Sequence, residues 1–171
     1  MTGKVANFLS KEKIMNLEIE KKFLLRNLPT GMTKGTKILQ GYLSVGTPEV
    51  RVRAKGEKFF LTRKGGEGFV REEEEYEISR EMFEILWSLT EDARIEKTRY
   101  EIIGEDGLVW EIDEFQTHLT EGLFLAEVEL PDESVVPEIP PSIAEVIERD
   151  VTTDGMYKNK NLASSGVLVG E

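Results

Sequence analysis

Apolar and ionised residues alternate with a period of two along most of this chain, and that alternation restricts it to strands before any other property is weighed. In "LEIEKKFLL" (17–25), Glu18, Glu20 and Lys22 fall between Leu17, Ile19 and Phe23. Seven further runs behave likewise, at 38–44, 49–54, 58–64, 69–78, 94–103, 108–115 and 122–130, punctuated by Gly, Pro and Asp. Such spacing predicts an antiparallel, β-rich domain. Three segments depart from it. "SREMFEILWSL" predicts a helix capped by Ser79, with Met82, Phe83, Leu86 and Leu89 at helical spacing. "PPSIAEVIERD" predicts a second, with Ser142 and Glu145 as a capping box and Ile143, Val146 and Ile147 on one face. "DGMYKNKNLA" predicts a third.

The polar face of these strands carries charges of both signs. Glu18, Glu20 and Lys22 are joined by Arg51 and Arg53, Thr62 and Lys64, Arg71, Glu73, Glu75 and Glu77, Lys97 and Arg99, Glu111 and Asp113, and Glu127 and Glu129. Val50, Val52, Leu61, Trp110, Ile112, Ala126 and Val128 occupy the opposite face, which can take the amphipathic helices. A sheet with one wet side explains any single strand. Basic residues, however, gather on some strands and acidic ones on others. Closing eight strands with that face inward gives an α+β fold: an eight-stranded antiparallel β-barrel, or tunnel, with a charged interior and helices packed outside. Unpaired buried charges are too costly for such a tunnel to lack an ionic occupant. Carboxylates suit hard divalent cations, Arg and Lys suit phosphoryl oxygens, and a metal-chelated polyphosphate satisfies both.

The length of 171 residues favours one domain. Residues 15–171 are assigned to it, and 1–14, "MTGKVANFLSKEKI", to an N-terminal extension before Met15. No run has the length of a membrane span, and the missing secretory pattern makes the cytoplasm the expected location. A net charge of −11 opposes nucleic-acid binding, the absence of cysteine excludes disulfides and thiolate metal sites, and the single histidine, His118, excludes histidine-based metal or triad chemistry. "KGGEGF" lacks the Walker spacing and reads as a hairpin turn.

The ordered pieces "EIEKK", "QGYLS", "VRVRAKG", "FFLTRKG", "EYEIS", "EKTRYEI", "WEIDEF", "LAEVEL" and "MYKNKNLA", from about residue 17 to 163, resemble the CYTH superfamily, the triphosphate tunnel metalloenzymes. The resemblance implies a triphosphate substrate and Mg²⁺ or Mn²⁺, and is strongest to the compact bacterial branch that hydrolyses tripolyphosphate. Residue by residue it implies that Glu18, Glu20, Glu127 and Glu129, then Glu111 and Asp113, are metal ligands. Lys22, Arg51, Arg53, Lys64 and Arg99 match its phosphate-binding bases, with Arg71 or Glu73 at the next expected place. Lys158 is favoured over Lys160 near the tunnel mouth. Lys97, with Tyr42, is assigned to orienting or deprotonating the attacking water, or Lys97 is one more phosphate clamp.

The expected activity is thus metal-dependent hydrolysis of inorganic triphosphate to diphosphate and phosphate. The alternatives are a thiamine triphosphatase, nucleoside triphosphatase or adenylate cyclase of the same fold, and a non-catalytic polyphosphate-binding module. An exposed helix or barrel face could pair two copies, a homodimer being the commonest assembly.

Overall fold

In a computed structural model of the chain, the residues described are 12–14, 19–65, 72–117 and 119–165. They form one antiparallel sheet of ten strands. In chain order these are β1 (Glu12–Ile14), β2 (Ile19–Leu25), β3 (Thr36–Ser44), β4 (Glu49–Lys55), β5 (Lys58–Gly65), β6 (Glu72–Ile78), β7 (Arg94–Ile103), β8 (Val109–Phe115), β9 (Phe124–Leu130) and β10 (Ile147–Asp150). Helix α1 (Arg80–Trp87) follows β6, a one-turn α2 (Pro141–Ala144) precedes β10, and a 3₁₀ turn (Gly155–Tyr157) leads into α3 (Asn159–Ser165).

The strand order is β1-β6-β5-β4-β3-β7-β8-β9-β2-β10. This corrects the expected eight-stranded barrel: the sheet has two more strands, and among the described residues no pairing joins β1 to β10. The eight strands read from the alternation are nonetheless β2 to β9, and all eight contribute side chains to one cavity. The extra strands continue the sheet past β6 and β2. Within the segment assigned to an N-terminal extension, Glu12–Ile14 pairs with β6.

The second expected helix is also corrected. Pro140, not Ser142, stands at its N-cap, no side chain caps it, and after one turn the chain becomes β10, with Ile147 opposite Leu25 of β2. The open backbone edge of β2 outweighs helix propensity here. Arg26 fixes the exit by donating from its backbone to Val146 O at 2.8 Å and from its guanidinium to the carbonyls of Glu145 and Ile147 at 2.8 and 3.1 Å.

Helix α1 forms with the expected cap but ends at Trp87, short of Leu89. Ser79 Oγ accepts the Met82 N–H at 3.2 Å. Phe83 is buried against β4 and β5, its ring 5.1 Å from Phe59 and 5.5 Å from Trp87, while Met82 and Leu89 stay exposed. A second apolar cluster joins Phe23, Trp110, Ile112, Ala126 and Val128 under Ile143 of α2.

A third cluster lies at the end of the charged face. Continuing the same alternation, Leu24 follows Lys22, Tyr42 follows Gln40, Ile95 precedes Lys97, Phe115 follows Asp113 and Leu125 precedes Glu127. These apolar residues pack with Tyr157, Leu162 and Ala163 of the C-terminal segment. The inward face is therefore ionised over most of its length and greasy at one end, where α3 seats.

Gly41 of β3 is required by a close approach, because a Cβ there would lie 2.3 Å from Oγ1 of the buried Thr90. Thr90 cannot easily yield: its hydroxyl donates to Trp87 O at 2.8 Å and accepts from Arg94 Nε at 3.1 Å. Gly41→Ala is expected to destabilise the protein by about 1–3 kcal/mol in urea unfolding. Gly46→Ala, whose added Cβ meets nothing nearer than 4.0 Å, is expected to leave stability unchanged.

Candidate active site

Strand register determines which ions meet. On β9, Glu127 faces Lys22 of β2 on one side and Glu111 of β8 on the other, and Glu129 faces Glu20. Arg51 of β4 faces Tyr42 and Thr62, Arg53 faces Gln40, and Glu49 faces Lys64. Lys64 and Thr62 face Glu73 and Glu75 of β6, and Arg99 of β7 faces Asp113. The result is a cavity of about 660 Å³ bordered by Lys22, Arg51, Arg53, Lys64, Lys97, Arg99 and Lys158 among the cations, and by Glu20, Glu111, Glu127 and Glu129 among the acids.

Most of these charges are paired across the wall. Lys22 Nζ lies 2.9 Å from Glu127 and 3.9 Å from Glu20, and donates to the Tyr157 carbonyl at 3.1 Å. Arg53 donates to Glu75 at 3.0 Å, Thr62 donates to the same oxygen at 2.9 Å, and Lys64 lies 3.1 Å from Glu73. Arg99 bonds Glu111, binds Asp113 through two nitrogens at 2.6 and 2.7 Å, and lies 3.8 Å from Glu127. Two buried donors on these cations are left over: Nε of Arg51 and Nε of Arg53 have no acceptor among the described residues. Buried N–H groups on cations that line a cavity are suited to an acceptor-rich anion.

Lys97 is 1% exposed, with Nζ 2.5 Å from Asp113 Oδ2 and 3.5 Å from Asn159 Oδ1. Burial and then Arg99 push its pKa down, against the opposing pull of Asp113 and Glu127. Burial would raise the Asp113 carboxyl, but Lys97 and Arg99 outweigh it and hold the group below the usual carboxylate range. The Tyr42 hydroxyl accepts from Gln40 Nε2 at 2.7 Å, and burial pushes its pKa up to about 12. Lys97 and Tyr42, paired in the sequence reading, thus each have other partners here.

The structure gathers Lys22, Arg51, Arg53, Lys64, Arg99, Lys97, Tyr42, Glu20, Glu111, Glu127, Glu129 and Lys158 around one cavity. Asp113 does not border it and is 0% exposed, with both oxygens taken by Lys97 and Arg99. One pleat along β8 from Glu111, the register puts Asp113 opposite Leu125 instead of an acid. Glu18, Arg71 and His118 lie outside the described residues. Lys160 also borders the cavity, 3.8 Å from Glu49. Glu75, Gln40 and Asn159 were not singled out from the sequence. Glu75 was already on the inward face by parity, whereas no periodic signal marks Asn159.

The donor set suits a hard cation in kind. Glu111 faces Glu127 and Glu20 faces Glu129, and like charges directly opposite each other are unfavourable unless a cation lies between them. As placed, Glu20, Glu111 and Glu127 turn toward Lys22 and Arg99, and no three acids converge on one point among the described residues.

No protein-family model matches the chain. It is 42% identical over 151 residues to an inorganic triphosphatase of Nitrosomonas europaea, spanning 86% of this chain and 97% of that protein. It is 43% identical over 155 residues to an inorganic triphosphatase of Acetivibrio thermocellus, spanning 88% and 96%. A crystal structure of an inorganic triphosphatase superposes with a TM-score of 0.66 at 39% identity, covering 88% of this chain and 97% of that one. With the inward charges of eight strands arranged as described and relatives this similar along nearly their whole length, the chain belongs to the triphosphate tunnel metalloenzyme family of the CYTH superfamily.

Proposed function

We propose that this protein hydrolyses inorganic triphosphate to diphosphate and phosphate within the cavity walled by β2 to β9, with a divalent cation, Mg²⁺ or Mn²⁺, as cofactor. The observation that carries the reading is the pair of buried Nε groups on Arg51 and Arg53 that have no acceptor among the described residues, set among cations that share the cavity with opposed glutamates. The curated relatives, named inorganic triphosphatases, support the same substrate. Among described residues, the ionised part of the wall offers no aromatic platform beyond Tyr42 on which a base or thiazolium ring could stack.

Arg51, Arg53, Lys64, Arg99 and Lys22 bind the phosphoryl oxygens, and Lys158, carried by the C-terminal segment, reaches the same cavity. By the resemblance, Arg71 is assigned to the same set. The charges of Arg51, Arg53 and Lys22 are held in place by Glu73, Glu75 and Glu127 before substrate arrives, so little reorganisation opposes charge stabilisation as the anhydride bond breaks. Glu18, Glu20, Glu127 and Glu129, with Glu111, are the carboxylates that hold the cation. When bound, the cation supplies charge neutralisation on the phosphates and a lowered pKa for bound water. Lys97 presents its ammonium at the cavity wall to orient the attacking water. Tyr42, whose phenol stays protonated through the neutral range, orients by hydrogen bonding and does not act as a base.

Phosphate release from tripolyphosphate, ATP and thiamine triphosphate, each with and without Mg²⁺ or Mn²⁺, tests the reading. Release from tripolyphosphate alone, abolished by a chelator, is expected. Preference for either organic substrate would move the activity elsewhere in the family, and tripolyphosphate binding without release from any substrate would indicate a binding module. Arg53→Ala is expected to lower kcat/KM by about a hundred- to a thousandfold, as loss of one preorganised donor does.

Tyr42 also makes a pH prediction. Its folded pKa of about 12 lies above the ordinary value of 10.0, so its contribution to stability is fully present below pH 10 and is lost as pH rises through 12. Between those limits the melting temperature of Tyr42→Phe is expected to fall less steeply with pH than that of the wild type.

A further inference from the structure

We propose that Asp113 is a positioning residue, a buried anion that holds the charged ends of Lys97 and Arg99 side by side at the cavity wall, and is not a metal ligand. The proposal rests on the hydrolase reading only for the identity of the anion those two cations meet.

Register supplies the first argument. Glu111, Glu127, Glu129 and Glu20 occupy adjoining rows across β8, β9 and β2. Asp113 sits one pleat deeper, opposite Leu125 and two residues before Phe115, both of the apolar cluster that closes this end of the cavity. Glu111 borders the cavity and Asp113 does not.

Bonding supplies the second. Oδ1 accepts from Arg99 Nε at 2.7 Å, and Oδ2 accepts from Arg99 Nη2 at 2.6 Å and from Lys97 Nζ at 2.5 Å. A metal ion binding here would have to displace two cations from their shared anion in a dry site, leaving Lys97 without its carboxylate and Arg99 with only Glu111 and Glu127. Without Asp113, conversely, Lys97 would lose its carboxylate partner beside the positive charge of Arg99, which keeps Glu111. The paired arrangement lets both reach the cavity while their common partner stays behind them.

The test uses a charge-balanced variant, because removing Asp113 alone would repel a metal ion through the field of the uncompensated Lys97. Lys97→Met/Asp113→Asn removes one charge of each sign and leaves no lone buried ion. Mn²⁺ binding, followed by electron paramagnetic resonance in the absence of substrate, is expected to stay within twofold of wild type in this double variant. Glu20→Gln is expected to weaken it tenfold or more. Weakening of the double variant to the level of Glu20→Gln would overturn the proposal and make Asp113 a ligand.

Kinetics supply the second readout. Asp113→Asn and Lys97→Met are each expected to lower kcat for tripolyphosphate, and the double variant to lose no more than the worse single, as a shared interaction requires. Losses that multiply would overturn the proposal. Turnover by the wild-type protein tests the hydrolase reading separately, and the Mn²⁺ measurement needs no turnover, so it decides the role of Asp113 whichever way that result falls.

Discussion

Opposite charges paired across the inner wall are what the rest of this structure depends on. A sheet that turns ionised residues toward its own cavity is stable only if nearly every charge meets a counter-charge, since the desolvation of a lone ion exceeds what one domain can absorb. Here opposite signs meet at many points of the wall: Lys22 against Glu127, Arg53 against Glu75, Lys64 against Glu73, Arg99 against Asp113. The same pairs that make the fold tolerable also fix the cations in place before any ligand arrives. Stability and preorganisation are therefore one property of this wall.

The electrostatics are strongly local. The chain carries a net charge of −11, yet its cavity gathers cations that can receive a polyanion. Low-dielectric walls behind the charges, such as the cluster around Phe115 and Leu125, keep their field directed into the cavity instead of dispersing it in water. The acidic exterior then opposes loose adsorption of phosphate-bearing polymers while the interior accepts a small anion of the same chemistry.

Much of this was legible in the sequence because a strand has a parity. Once Glu20 and Lys22 were placed on one face, every other residue of β2 followed, and so for the other seven strands. Register is what parity does not contain. Glu111 and Asp113 share a face and were read as equivalent, but pairing with β9 puts one against Glu127 and the other against Leu125. Strand β10 was misread for a related reason: Ile143, Val146 and Ile147 fit a helical stripe, and only the unpaired edge of β2, distant in sequence, draws the chain into the sheet. Asn159 gave no signal because its role arises from where α3 is seated.

That seating links the two ends of the chain. The backbone of Lys22 donates to Thr152 Oγ1 at 3.0 Å and accepts from Val151 N at 2.9 Å, and its ammonium is tied to the Tyr157 carbonyl. Lys158, Asn159 and Lys160 border the cavity from this same segment. A ligand held by Lys22 and Lys158 together binds only while residues 151–165 are docked, so its binding free energy is added to the cost of peeling that segment away. The C-terminal stretch is consequently the part of the molecule whose local opening is most sensitive to occupancy of the cavity, and the protection of its amide hydrogens reports on what the cavity contains.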